Sequence, residues 1–342
     1  MSIENKLNDE ILKKNFDEVY KICLNNKFET LYNFLKESSN KNVVNKEIIK
    51  PDFKQIKIKL LCNWCSSDKL TSLWNKMSKG NYTWNNIVLV VNEEPDYWVI
   101  INGVFDPNEK YDRKKTIVFR MEPKMKDNIN IWKEWADPNP SDFLKVFKHE
   151  NKNEFNNCEW HISLTYNQLS NFTFRKIYNK ELSTVLSSKY SDIGHVKRIN
   201  FVRFIEKHIV VHVYGDNKWN YKNYKGSLPY HQKDNALIPY KYTFNCENHF
   251  LPNYFTEKLI DGILSECLVF YCGCPNIKNY IDDKAFIYLE LSNFEKDINI
   301  IIHAINNNLY EERLPYIRQM KQKILNELQF FPRLENFFKN KN

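Results

Sequence analysis

The chain has 342 residues, with 50 Lys and Arg against 42 Asp and Glu, a formal charge of +8, and 15% aromatic residues. That length suits two ordinary domains plus an appendage, the aromatic content suffices for a large core, and the mild basicity favours anionic partners. None of the 7 Gly falls in a GxGxxG or GxxxxGK[ST] pattern, which removes the usual dinucleotide-binding and P-loop readings.

Residues 1–54 read as a separate helical extension. Ile11, Phe16, Val19, Tyr20 and Cys23 make one approximate helical stripe, and Phe28, Leu31, Tyr32 and Leu35 make a second. The expectation is a short hairpin that packs on the next domain or serves self-association. No stretch of about 18 apolar residues occurs and the first ten residues are polar, so neither a membrane segment nor a leader is expected, which points to the cytoplasm. The 8 cysteines are scattered. Cys62 and Cys65 form a CxxC with no second CxxC to follow, so no metal set is expected from spacing and the thiols are expected reduced.

From Gln55 the pattern changes to short apolar strands, Ile56–Leu61, Ile87–Val91, Tyr97–Ile101 and Thr116–Arg120, with helical or loop segments between them. Such alternation predicts a parallel sheet with helices outside. The last of these strands runs into Met121-Glu122-Pro123, which puts Glu122 at a strand's carboxyl end, where functional groups of open α/β sheets collect. Residues 127–157 read as a loop-rich segment, and His161 as a strand histidine with a structural partner. A second α/β unit is expected from about 178. It comprises a strand at Leu182–Ser188, a helix from about His195 carrying Arg198 and Arg203, and a strand at Ile209–Gly215 ending in Tyr214-Gly215. The polar, aromatic-dotted loop 216–234 is too isolated to suggest nucleic-acid binding.

The stretch 240–280 carries the most information. An alternating strand, Tyr242–Cys246, ends at Glu247-Asn248, and a turn through Pro252 and Asn253 leads to Tyr254 and then Thr256-Glu257-Lys258. There Thr256 is a plausible N-cap for a helix with Leu259, Ile260, Ile263 and Leu264 on one face. A helix N-terminus with a lysine suits an anion, and the glutamate beside it can accept hydrogen bonds from hydroxyls. An apolar strand, Leu268–Cys272, then closes on Gly273. A last strand, Ala285–Leu289, and amphipathic helices at Phe294–Asn306 and Tyr316–Leu328 complete the chain.

This stretch resembles the signature of glycosyltransferase family 10, the α1,3-fucosyltransferases. The matching residues are Tyr240-Lys241-Tyr242, Glu247-Asn248, the segment Asn253 to Lys258 apart from its first residue, and Gly273. The departures are Cys246, Asn253 and Leu268-Val269, together with Asn167–Asn171 where the family carries an Arg and two Asp. The resemblance implies an α/β GT-B fold of two Rossmann-like domains facing a cleft, with an acceptor side at 55–177 and a donor-binding side at 178–342. With no membrane segment expected, the chain would be an anchor-less, cytosolic or viral-type member. Its activity would be inverting transfer of L-fucose from GDP-fucose to a hydroxyl of a glycan or glycoconjugate acceptor. Glu122 would be the general base, and Arg198 and Lys258 the catalytic cations. Donor binding would fall to Arg198, Tyr214, Gly215, Glu247, Asn248, Tyr254, Thr256, Glu257 and Lys258. No Asp-x-Asp occurs, so no metal cofactor is expected. A same-fold enzyme using a UDP- or dTDP-linked sugar and a catalytically silent nucleotide- or glycan-binding protein remain as alternatives.

Overall fold

The structure is a computed structural model and describes residues 54–341 except 152, 153 and 158. The expected helical extension and its role in self-association lie outside the described residues. Two six-stranded sheets organise the rest.

The first sheet takes β1 (Ile56–Cys62), β2 (Thr83–Trp84), β3 (Ile87–Val90), β4 (Tyr97–Ile101), β5 (Thr116–Phe119) and β6 (Lys145–Phe147), in the order β2-β3-β1-β4-β5-β6. All neighbours are parallel except the β2–β3 hairpin. Helices α1 (Ser67–Trp74), α2 (Lys126–Trp132) and α3 (Tyr166–Asn171) accompany it. Ile58, Leu60, Val99, Ile100, Ile117 and Val118 are fully buried, as near-continuous apolar runs demand when both faces of a parallel sheet are covered. Strand β6 falls in the segment expected to be loop-rich. It is only three residues long and pairs on one side, too short for periodicity to announce it.

The second sheet is wholly parallel. It contains β7 (Tyr178–Leu186), β8 (Val211–Gly215), β9 (Tyr224–Gly226), β10 (Tyr240–Cys246), β11 (Leu268–Cys272) and β12 (Phe286–Tyr288), in the order β12-β11-β10-β7-β8-β9. Its helices are α4 (Ile193–Ile205), α5 (Asp234–Leu237), α6 (Glu257–Leu264), α7 (Phe294–Asn306) and α8 (Leu309–Lys323). The chain leaves β7 through α4 toward β8 and leaves β10 through α6 toward β11. Strand order therefore reverses between β7 and β10, and such a switch point opens a crevice at the strands' carboxyl ends.

Helix α8 begins seven residues before the expected Tyr316 and runs through Pro315, and its last turn widens into a π-helical turn, Ile324–Leu328. A final helix, α9 (Phe330–Lys339), returns to the first sheet. Phe330 packs edge-on against Trp74 at 4.9 Å, Phe331 stacks on Trp84 at 5.8 Å, and Glu335 accepts a 3.0 Å hydrogen bond from Trp84 Nε1. Residues 330–339 thus pack with the first sheet although they follow the second in the chain.

His161 is not in a strand. Trp160, Ile162 and Leu164 alternate and are buried, which mimics strand periodicity. The intervening backbone donors instead go to side chains: His161 N donates to Asp261 at 2.7 Å, and Ser163 N to Asp234 at 3.0 Å. Carboxylates do the work of a neighbouring strand there, and the segment stays a loop.

Candidate active site

A cavity of about 290 Å³ lies at the switch point. Its walls come from the end of β7 (Thr184–Ser187), the end of β10 with Asn248, the first turns of α4, and the start of α6. Lys189, Arg198, Lys233 and Lys258 line it against Glu257 and Asp261, so the cavity is positive overall.

Arg198 is 6% exposed and is carried into the cavity by α4. It donates to the Cys246 carbonyl at 3.2 Å, to Asn248 Oδ1 at 2.9 Å and to Ser187 Oγ at 3.2 Å. Those bonds use three of the five N–H donors of a guanidinium. Its Nε is buried without a partner. Burial lowers the Arg198 pKa, yet a guanidinium stays charged. Arg203, the competing arginine on this helix, is exposed. Asn248 therefore orients the arginine, and its carbonyl also accepts from Gly194 N at 3.0 Å. A Cβ on Gly194 would overlap the Glu247 carbonyl, so only glycine lets α4 start this close to β10. Gly194→Ala is expected to cost about 1–3 kcal/mol, as overpacking does. A lower denaturant midpoint with an unchanged slope checks this.

Thr256 caps α6 as expected, its hydroxyl accepting from Lys258 N. Glu247 is fully buried and anchors that cap: its carboxylate accepts from Thr256 N at 2.8 Å, from Thr256 Oγ1 at 2.7 Å and from Tyr271 OH at 3.3 Å. Burial raises its pKa, against the pull of Lys258. Lys258 Nζ lies 3.1 Å from Thr256 Oγ1, 3.4 Å from Glu257 and 3.6 Å from Glu247. Burial opposes its charge, but the two carboxylates more than compensate and its pKa is raised. Glu257 accepts from Lys233 at 3.1 Å. Although burial alone would raise its pKa, Lys233, Lys258 and His161 hold it well below the usual range. The α6 N-terminus thus presents a fixed ammonium and an ionised carboxylate.

The first sheet contributes from across the cleft. Glu122 follows β5, its N–H donating to Asn102 Oδ1 at 3.0 Å. Its side chain is exposed at the rim of the site, where the charges of Lys258, Glu257, Glu247 and Lys189 act on it. Desolvation raises its pKa; Lys258 opposes this, while Glu257 and Glu247 add to it. His149 joins the two sides, with ring nitrogens 3.0 Å from the Asn253 carbonyl and 2.9 Å from the Met121 carbonyl. Asn253 adopts a left-handed φ of 62°, which asparagine tolerates better than most residues, and its side chain reaches back to the His149 carbonyl at 2.6 Å. Tyr254, 1% exposed, lies edge-on to His149 at 5.3 Å, and burial raises its pKa strongly, with Glu122 the next cause.

Arg198, Asn248, Glu257 and Lys258 therefore meet at the cavity, with Glu122 and Tyr254 beside them. Tyr214 and Gly215 do not line it. The Tyr214 hydroxyl is buried against Tyr240 OH at 2.8 Å. Gly215, at φ 101°, is required because a Cβ would overlap the Leu186 carbonyl. Glu247 and Thr256 stand behind the cavity and support it. Lys233, Lys189, His195 and Ser187 line the cavity without having been anticipated. Burial, with Arg198 nearby, pushes His195 down to about 4, so it is neutral at ordinary pH.

Residues 177–312 match the family model described as glycosyltransferase family 10 (fucosyltransferase), C-terminal part. No curated protein matches the chain. Among solved structures, an α1,3-fucosyltransferase with GDP is similar at 16% identity and TM-score 0.50, over 79% of this chain and 84% of that one. A second structure of an α1,3-fucosyltransferase gives 16% and 0.50, over 77% and 82%. An α-glucosyltransferase in complex with UDP and DNA gives 10% and 0.50, over 85% and 100%. Identities this low speak to the fold, which is that of GT-B glycosyltransferases. The chain is a glycosyltransferase of two Rossmann-like domains, and its residues 177–312 match the family 10 model.

Proposed function

We propose that the protein transfers L-fucose from GDP-fucose to a hydroxyl of a glycan or glycoconjugate acceptor, with inversion at the sugar carbon. The observation that carries the proposal is the positive cavity at the β7–β10 switch point, where Arg198 and Lys258 converge beside the ionised Glu257. A diphosphate fits the two cations, and a ribose diol can donate to the carboxylate.

In this reading the second sheet holds the donor and the first sheet presents the acceptor. The acceptor oxygen attacks the anomeric carbon from the face opposite the leaving GDP. Its proton passes to Glu122, whose raised pKa makes it a stronger base than a free carboxylate. Negative charge building on the leaving diphosphate meets Arg198, Lys258 and the N–H groups at the start of α6 without reorganisation. The chemistry is assigned to these side chains and calls on no metal cofactor. Asn248 positions Arg198, and Tyr254 borders the donor beside Glu122.

The test is transfer from labelled GDP-fucose to a panel of oligosaccharides, with release of GDP measured in parallel. Acceptor-dependent release supports the proposal. Turnover of a UDP- or dTDP-linked sugar instead would retain the mechanism and change the donor. Residues Asn167–Asn171 bear on that outcome, because they form α3, closed by a Thr165–Gln168 capping box, and do not line the cavity. Nucleotide binding without turnover of any donor would make the chain a silent binder.

A further inference from the structure

A second polar cluster lies behind Glu257, away from Arg198. Glu159, His161 and His231 bring one potential ligand atom each to within 4.8 Å of one another. Glu159 and His161 belong to the segment between the two sheets, and His231 to the loop before α5. His161 Nε2 is 3.0 Å from Glu159 Oε1, and the two imidazole rings are 3.9 Å apart at 42°. His231 is 9% exposed, and its Nδ1 is buried without any hydrogen-bond partner. A buried ring nitrogen left unpaired forfeits its hydration without replacement, so it calls for an explanation.

We propose that Glu159, His161 and His231 form a binding site for a divalent transition-metal ion, zinc foremost. Two imidazoles and one carboxylate are a ligand set that zinc takes while leaving a position open. The surroundings match what such ligands need. A metal-bound histidine commonly donates its other N–H to a carboxylate, and a bound carboxylate is itself hydrogen-bonded. His161 turns Nε2 toward Glu159 at 3.0 Å, and Glu257 Oε1 is the carboxylate oxygen facing its Nδ1, at 3.8 Å and so not hydrogen-bonded to it. Glu159 gives its second oxygen to Trp74 Nε1 at 3.1 Å. Ligands at tetrahedral zinc stand about 3.4 Å apart, so loading parts Glu159 and His161 slightly from their 3.0 Å contact and brings His231 to the same spacing.

The local charge also favours a cation. Lys76 and Lys233 lie nearby, but Lys233 is committed to Glu257 and Asp261, and Lys76 donates to the Ile162 carbonyl. With Lys258 beside Glu257, three lysines stand against the four carboxylates Glu159, Asp234, Glu257 and Asp261. An ion here would tie the interdomain segment to the loop before α5, behind the carboxylate proposed for the ribose. It would brace the cavity and stand outside the transfer chemistry.

Chelator-treated, full-length protein should take up one equivalent of Zn²⁺ with a rise in unfolding temperature, and Co²⁺ should give the visible absorption of a low-coordinate site. His231→Gln and Glu159→Gln should each weaken Zn²⁺ affinity by more than about 100-fold, beyond the 10–100-fold cost of losing an outer partner. Both variants are first checked for wild-type circular dichroism, and either one that folds decides the matter. A Cys62→Ser/Cys65→Ser double variant should bind Zn²⁺ like wild type. No uptake by the wild type, equal uptake by a folded ligand variant, or loss only in the cysteine variant would each overturn the proposal.

Discussion

Replacing Glu122 with Gln is expected to lower kcat by about 10²–10⁴-fold while leaving nucleotide affinity within a factor of about two, the range expected when a positioned general base is lost. The substitution keeps the shape of the side chain and the backbone bond to Asn102. It removes only the site that accepts the proton. The pH profile makes the assignment specific. A base must be ionised, and desolvation within the site, with Glu257 and Glu247 adding to it, lifts Glu122 above the ordinary glutamate value of 4.5, so wild-type kcat/KM should fall on the acid side through a pKa above that value. Below it the carboxyl is protonated and the rate drops about tenfold per pH unit. The residual activity of Glu122→Gln should lack this limb. Unchanged turnover in the variant would remove Glu122 from the chemistry.

Lys258→Ala is expected to lower kcat/KM by at least about 100-fold, comparable to deleting one preorganised transition-state donor. The loss should exceed that in nucleotide affinity, because the charge it meets grows as the diphosphate leaves. The ammonium is held by Thr256 Oγ1, Glu257 and Glu247, and its removal leaves Glu257 with Lys233 as its remaining close ammonium partner. Weaker binding with kcat intact would mean that Lys258 only attracts the donor. Near-normal kcat/KM would contradict its place at the leaving group.

The sheets were largely legible in the sequence because both, apart from the β2–β3 hairpin, are parallel and buried on both faces. Runs such as Ile87–Val90, Tyr97–Ile101 and Leu268–Cys272 are apolar almost throughout, and β4 and β11 have the bounds their patterns suggest. The capped start of α6 was equally visible, since Thr-Glu-Lys before an amphipathic run is local chemistry. What depended on distant partners was not. Lys233 acquires its role only by reaching Glu257, 24 residues on, and His231 only by meeting a segment on the far side of β7. Tyr214 and Gly215 sit at a strand's carboxyl end, the usual place for ligand contacts, yet the Tyr214 side chain turns into the core and the Gly215 backbone against β7. End-of-strand position says where a residue is; the face it presents is decided by packing.

Among the described residues no helix is long and apolar enough to cross a membrane. The cavity is built from sheet ends and helix starts, and the donor assignment rests on how selectively it holds one nucleotide.

The most direct measurement is thermal unfolding of the purified protein with GDP, GDP-fucose, UDP, dTDP and CMP. A ligand at about 100 times its Kd adds about 2.7 kcal/mol to stability. GDP and GDP-fucose should raise the unfolding temperature, with Arg198→Ala and Lys258→Ala showing less, and the other nucleotides should leave it unchanged. Stabilisation by UDP or dTDP but not by GDP would contradict the proposed donor.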